Sequence, residues 1–432
     1  MKKGLSVIGI VLLSVLLSVY LTGCGGSGGS SSVLLVFISL TPANQSINVG
    51  AAQQLKATGT NSDGTAFDIT AQATWGTSNA AVATVNSSGL ATGVTAGTAT
   101  ISAAKGNITA NITITVTASS TFPVGANPSS VAIDASGNVW VSNQGSNAVM
   151  ELSPSGTLLN TFTVGNNPDG IAIDSAGNVW VSNQGSNTVT ELSPGGALLA
   201  TFTVGNSPCG LHIDASDNVW VANHGGNGAP LGSTVTKLSP SGALLGIFPV
   251  GTGPFGIGID TVGNVWVTNK GSDTSPGSTI AKLTSSGALL GIFTVGSEPH
   301  SIAIDSAGNV WVANPGSDTA PGNTVSKLSP SGALPVGTFT VGSGPHNIAI
   351  DSAGNVWVTN YGTSAVPGNT VTELSPSGTL LNTFTVGNNP DGIAIDSAGN
   401  VWVSNFGSNT VTVLRGAATG PQFQPYSGPV WP

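Results

Sequence analysis

Residues 161–183 read TFTVGNNPDGIAIDSAGNVWVSN, and the same run returns without a change at 383–405. Its parts recur between and around those copies. A Val-Trp-Val core stands at Trp140, Trp180, Trp220, Trp266, Trp311, Trp357 and Trp402, at spacings of 40 to 46 residues. Each copy divides into four short runs: a (Ile-Ala-Ile-Asp), b (Gly-Asn-Val-Trp-Val-Ser-Asn), c (Thr-Val-Thr-Glu-Leu) and d (Leu-Leu-Asn-Thr-Phe-Thr-Val-Gly). Alternation bounded by Gly, Asn and Pro reads as strand, and four antiparallel strands per 40 to 46 residues is the period of a β-propeller blade. A right-handed β-solenoid would need shorter coils and parallel stacking. The ends of the array sharpen the prediction. An orphan strand d, Thr121-Phe122-Pro123-Val124, precedes the first strand a, and the seventh copy stops after strand c at residues 410–414. Lending the first strand to the last copy completes seven blades and leaves no open edge. The expected fold class is all-β, a seven-bladed propeller over 121–415.

Composition agrees and excludes several classes. Of 432 residues only 6% are charged, while 39% are hydrophobic, and beyond the N-terminus no 3.6-residue periodicity appears. Nine basic residues against eighteen acidic ones, without a basic cluster, argue against nucleic acid and against polybasic membrane binding. Cys24 and Cys209 are too few for a disulfide scaffold, and neither has a CxxC partner for zinc.

The N-terminus carries its own message. Lys2 and Lys3 precede an apolar stretch at 5–21, shorter than a membrane-spanning helix, that reads as a signal peptide. It ends Leu21-Thr22-Gly23-Cys24, which resembles the lipobox of bacterial lipoproteins. That resemblance implies cleavage after residue 23, lipidation of Cys24 and a membrane partner through the anchor. Gly25, rather than Asp, after the cysteine implies the outer membrane in a cell that has one. Residues 24–32 form a Gly/Ser tether, and 416–432 a Gly- and Pro-rich tail. Between tether and repeats, Ala73-Thr74-Trp75-Gly76-Thr77, Ser88-Gly89-Leu90-Ala91 and Ala96-Gly97-Thr98-Ala99-Thr100-Ile101 resemble the bacterial Ig-like group 2 family. The resemblance implies a β-sandwich over 33–118, with Trp75 between the sheets and a spacer role.

The repeat, with its Pro-x-Gly-Ile-Ala-x-Asp and Gly-Asn-Val-Trp pattern, resembles NHL-type repeats and, more closely, the virginiamycin B lyase (streptogramin lyase) family. For the fold it implies a propeller. For activity it implies catalytic His and Glu residues assisted by magnesium, and His300 and His346 match the family's Pro-His positions. The glutamate that follows strand-b Trp-x-Thr in that family is Asn in all seven copies here. No Walker loop, HExxH or GxSxG occurs in the repeats.

Seven internal copies separate what a blade demands from what varies. Asp134, Asp174, Asp214, Asp260, Asp305, Asp351 and Asp396 open the a–b turns, where an acceptor side chain caps the turn. The strand-b asparagines, from Asn143 to Asn405, read as structural too. Two positions vary. After the Pro of each d–a loop come Ser129, Asp169, Cys209, Phe255, His300, His346 and Asp391. After each strand-b Asn come Gln144, Gln184, His224, Lys270, Pro315, Tyr361 and Phe406. In an up-and-down meander both connections emerge on one face, so both rings point to one mouth of the channel. Longer b–c loops at 225–233, 271–278, 316–323 and 362–369 would wall one side of it.

The candidate ligand-binding residues are therefore Asp169, His224, Phe255, Lys270, Tyr361, Asp391 and Phe406. His300, His346 and Asp391, with Glu298 nearby, pose a sharper alternative: a divalent metal site with magnesium as the candidate cofactor, or His300 and His346 as catalytic acid and base. Cys209 reads as a lone half-buried thiol, with a thiol–imidazole pair with His224 as the alternative. The expected function is a monomeric, lipid-anchored, extracytoplasmic envelope protein whose propeller face binds a ligand, glycan or protein. A metal-assisted lyase or hydrolase is the alternative, and an inert structural repeat protein the third reading.

Overall fold

The computed structural model describes residues 33–43, 45–49, 51–226, 230–272, 275–332 and 336–420. Cys24, the signal segment and the tether lie outside them. The described chain is all-β, its one helical element being the short 3-10 turn Gln144–Ser146.

The N-terminal part builds its core from Leu55, Ile69, Ile101 and Ile114, all fully buried. Trp75 packs against this core and donates its indole N–H to the Thr70 carbonyl at 2.9 Å. Gly89 holds a left-handed φ of 79° beside it, where a Cβ would fall 2.7 Å from the indole. The strand Ile108–Pro123 then leads out of this part. Its first half pairs antiparallel with Gly97–Lys105, and its last six residues pair with Thr410–Arg415, from Ala118↔Arg415 to Pro123↔Thr410. The orphan strand is therefore lent to the last repeat as expected. No linker separates it from the Ig-like part, because one continuous strand serves both. Proline closes that strand on the outer edge, where a missing N–H costs no ladder bond.

Repeats one to six each form a four-stranded sheet in sequence order, and the seventh repeat is completed by the lent strand. Apolar cores lie between neighbouring sheets. Trp140 and Val149 of repeat one meet Ile171, Ile173 and Val181 of repeat two. The series runs round to Trp402, Val411 and Val413 of repeat seven, which meet Val131, Val139 and Val141 of repeat one. All seven repeat tryptophans are completely buried. At 150 to 250 Å² each, such burial is worth about 4 to 6 kcal/mol gross per indole.

The turn aspartates do more than cap. In each repeat one carboxylate oxygen accepts the amides two and four residues on, as at Asp174 (3.0 and 2.8 Å). The other accepts the indole N–H of the repeat's own tryptophan, 2.9 Å at Trp180. The tryptophan stacks on the strand-d phenylalanine, Trp180 on Phe202 at 5.6 Å. That phenylalanine abuts a glycine in the c–d turn of the next repeat, where a Cβ on Gly242 would fall 1.9 Å from the Phe202 ring. Repeat seven has no c–d turn to meet Phe384. Ala417 and Ala418 pack there instead, and Ser352 N–H donates to the Gly420 carbonyl at 2.8 Å. The first residues of the tail thus fill a gap left by the lent strand.

In their described residues the longer b–c segments are not open loops. Strands b and c continue through them as paired ribbons, Val265–Ser272 with Ser275–Leu283 and Val310–Ser317 with Ala320–Leu328, across a bulge after the strand-b Asn.

Candidate functional site

Both variable positions converge on one cavity of about 280 Å³. Ser129, Asp169, Phe255, His300, His346 and Asp391 reach it from the d–a loops, and Gln144, Gln184, Tyr361 and Phe406 from the strand-b ends. His224 and Lys270 do not line it. They back Phe255, His224 meeting its ring edge-on at 5.6 Å and Lys270 Nζ standing 5.3 Å from its centroid.

A feature absent from the variable positions fixes this ring. The residue before each strand-b Asn is Ser or Thr in five repeats, and its hydroxyl donates to the carbonyl of the ring residue in the next repeat. Ser142 holds Asp169 at 2.6 Å, Thr268 holds His300 at 2.8 Å, Thr359 holds Asp391 at 2.7 Å and Ser404 holds Ser129 at 2.8 Å. Ser182 does the same for Cys209. Ala222 and Ala313 replace the hydroxyl in repeats three and five. The alternation of Ser, Thr and Ala was the available sequence signal, but only the sheet-to-sheet distance shows that the hydroxyl crosses to the next repeat.

One side of the cavity is a stack of rings. Phe255 and His300 lie 4.1 Å apart, His300 and His346 4.2 Å at 19°, and His346 and Tyr361 4.1 Å at 9°. Phe406 ends the series at 6.0 Å from Tyr361. His346 Nδ1 meets Asp391 Oδ1 at 3.3 Å, and Asn347 donates to the same oxygen at 2.9 Å.

This arrangement does not fit the metal expected at His300, His346 and Asp391. Imidazole lone pairs lie in the ring plane, so two face-stacked rings cannot aim both at one ion, and His346 Nδ1 is turned to Asp391. Magnesium prefers an oxygen shell, which these donors do not supply. Among the described residues no group of three His, Cys, Asp or Glu is arranged to hold a metal.

Burial governs the ionisation of the site. It pushes His300 well below the usual imidazole range, helped by the neighbouring His346, so the ring is neutral. Burial, then the charge of Asp391, raises the Asp169 carboxyl to about 7. Tyr361 rises to about 12, by burial and then by Asp391. Cys209 is fully buried, and its thiol turns to Gln184 and Asp169 rather than to the alternative partner, His224. Burial and the Asp169 charge push it far up, which removes the reactive thiolate. Glu298 is buried in a left-handed backbone, φ 50°, at a position that other repeats give to Asn, Ser or Gly.

Residues 36–116 match the bacterial Ig-like domain (group 2) family. Ice-binding protein 1 of Shewanella frigidimarina (strain NCIMB 400) is 40% identical over 99 residues, which are 23% of this chain and 11% of that protein. The chain thus spans about a ninth of that relative's length. Among solved structures, a streptogramin B lyase superposes with a TM-score of 0.59 at 18% identity, covering 69% of this chain and 97% of its own. Virginiamycin B lyase from Staphylococcus aureus gives 0.58 at 17%, covering 69% and 98%. Kuenenia stuttgartiensis hydrazine synthase gives 0.59 at 15%, covering 68% and 96%. At these identities the likeness is one of fold, and enzymes of such different names on it argue for no one chemistry. The chain joins an Ig-like domain to a propeller-like repeat array.

Proposed function

We propose that this is a lipid-anchored protein of the bacterial cell envelope whose closed, seven-bladed propeller holds a small extracytoplasmic ligand in its central cavity. The observation that carries the reading is convergence. Ten of the fourteen residues at the two variable positions meet at one cavity, on backbone pinned across five of the seven repeat junctions. Seven sheets with an apolar core at each of seven junctions support the blade count. The Ig-like match supports a surface location; lipidation at Cys24, on the lipobox resemblance, and a monomeric folded part complete the proposal. Acid–base work by His300 and His346 on the lyase pattern finds no support in the stacked rings.

The test is thermal-shift screening of the full-length protein against a library of small extracellular metabolites, beside His346→Ala and Tyr361→Ala. Binding lost in both variants, with their melting otherwise kept, is the expected result. Unchanged binding in both would overturn the placement. Incorporation of labelled palmitate, abolished by Cys24→Ala, tests the anchor.

A further inference from the structure

Building on the reading of this cavity as a ligand site, we infer that its ligand is an organic cation, a protonated amine carried on a small flat or apolar body. The cavity has two unlike sides. Repeats seven, one and two contribute Asp391, Ser129 and Asp169, whereas repeats four to six contribute the ring stack. No lysine or arginine lines it, and Lys270 stands over Phe255.

The charged groups that line it are carboxylates. His300 is 6% exposed, and its Nδ1 has no hydrogen-bond partner. Asp169 and Asp391 add two carboxylates that repel each other across the same space.

Other ligand classes fit less well. An anion would meet both carboxylates, while Lys270, whose charge reaches Asp169 and His300, stands behind Phe255 and outside the lining. A sugar stacks on an open aromatic face, but both faces of His346 are taken by His300 and Tyr361, and the inner rings show the cavity their edges. A metal ion finds no convergent donor set. An ammonium donates to the carboxylates, while its apolar body lies along the ring edges and against Phe255 and Phe406. The volume corresponds to about nine waters, so a ligand of roughly that many heavy atoms fits.

The test is calorimetric titration of the full-length protein, at pH 8 and low salt, with 2-phenylethylammonium, its neutral isostere 2-phenylethanol and the anion 3-phenylpropionate. The ammonium should bind at least about tenfold more tightly than either, a margin one fully used charge contact supplies. Asp391→Asn and Asp169→Asn should each cost about fivefold or more, with melting curves confirming that both variants fold. Equal binding of the alcohol or the acid, no binding of any probe, or full affinity in both Asn variants would overturn the cation assignment. So would displacement of the amine by an equal concentration of magnesium. Alcohol or acid binding that Tyr361→Ala removes would overturn the cation class while leaving the cavity reading intact. That reading falls only if the His346→Ala and Tyr361→Ala screen fails.

Discussion

If the strand at 118–123 closes the ring, Phe122 must act for repeat seven as Phe162 acts for repeat one. Phe122 stacks on Trp402 at 6.2 Å and 27°, and Phe162 on Trp140 at 5.4 Å and 17°. Phe122 is half-buried, and a Cβ on Gly156 of repeat one would fall 2.1 Å from its ring. A fully buried Phe→Ala change costs about 3 to 5 kcal/mol, and half burial brings Phe122→Ala to roughly 2 kcal/mol. Gly156→Ala is worse off on two counts, the clash and a left-handed φ of 90°, together roughly 2 to 4 kcal/mol. The changes must couple, because removing the ring removes the clash. The double variant should therefore be about 1 to 2 kcal/mol more stable than the sum of the singles predicts. Urea unfolding followed by tryptophan fluorescence reads all three, with Phe162→Ala as the internal standard. A neutral Phe122→Ala beside a costly Phe162→Ala, or strict additivity with Gly156→Ala, would refute closure by the lent strand.

Further outcomes follow from burial at other positions. Burial, opposed by a hydrogen bond from Asn382 and aided by the charge of Asp351, raises Glu373 from 4.5 to about 7. The folded state therefore holds that proton more tightly than the unfolded chain. Stability should fall as pH rises from about 4.5 to 7, by up to roughly 3 kcal/mol, and Glu373→Gln should flatten this slope in urea titrations at pH 5 and 8. Thr268→Ala leaves the His300 carbonyl and the Gly256 N–H without their partner. It should cost about 1 to 3 kcal/mol in the same assay, against near-neutrality for exposed Thr161→Ala. Cys209 should resist iodoacetamide in the native protein at pH 8 and react only on unfolding, and fast native labelling would contradict its burial. Elemental analysis should find the same divalent metal content in the wild type and in a His300→Ala/His346→Ala variant. Stoichiometric metal lost in the variant would restore the metal reading.

Periodicity made most of the fold legible. Period-two alternation at a 40- to 46-residue repeat dictates four strands per unit, and an orphan strand at one end facing a gap at the other dictates how the ring closes. The two variable positions were legible for the same reason, since seven copies in one chain show where the scaffold leaves a residue free. What the sequence could not show was how neighbouring sheets meet. That Ile108–Pro123 serves both parts as one strand depends on pairings between residues nearly 300 positions apart, and that Ala417 and Ala418 fill the place of a missing turn depends on how the tail meets the neighbouring sheet at Phe384. The same holds at the cavity. His300, His346 and Asp391 suggest a metal when written in a row, because spacing gives proximity and residue type but no ring orientation. Only the packing of successive sheets turns the two imidazoles face to face and makes Asp391 the partner of His346. Residue identity set which groups could meet, and the inter-sheet distance and side-chain direction decided how they do.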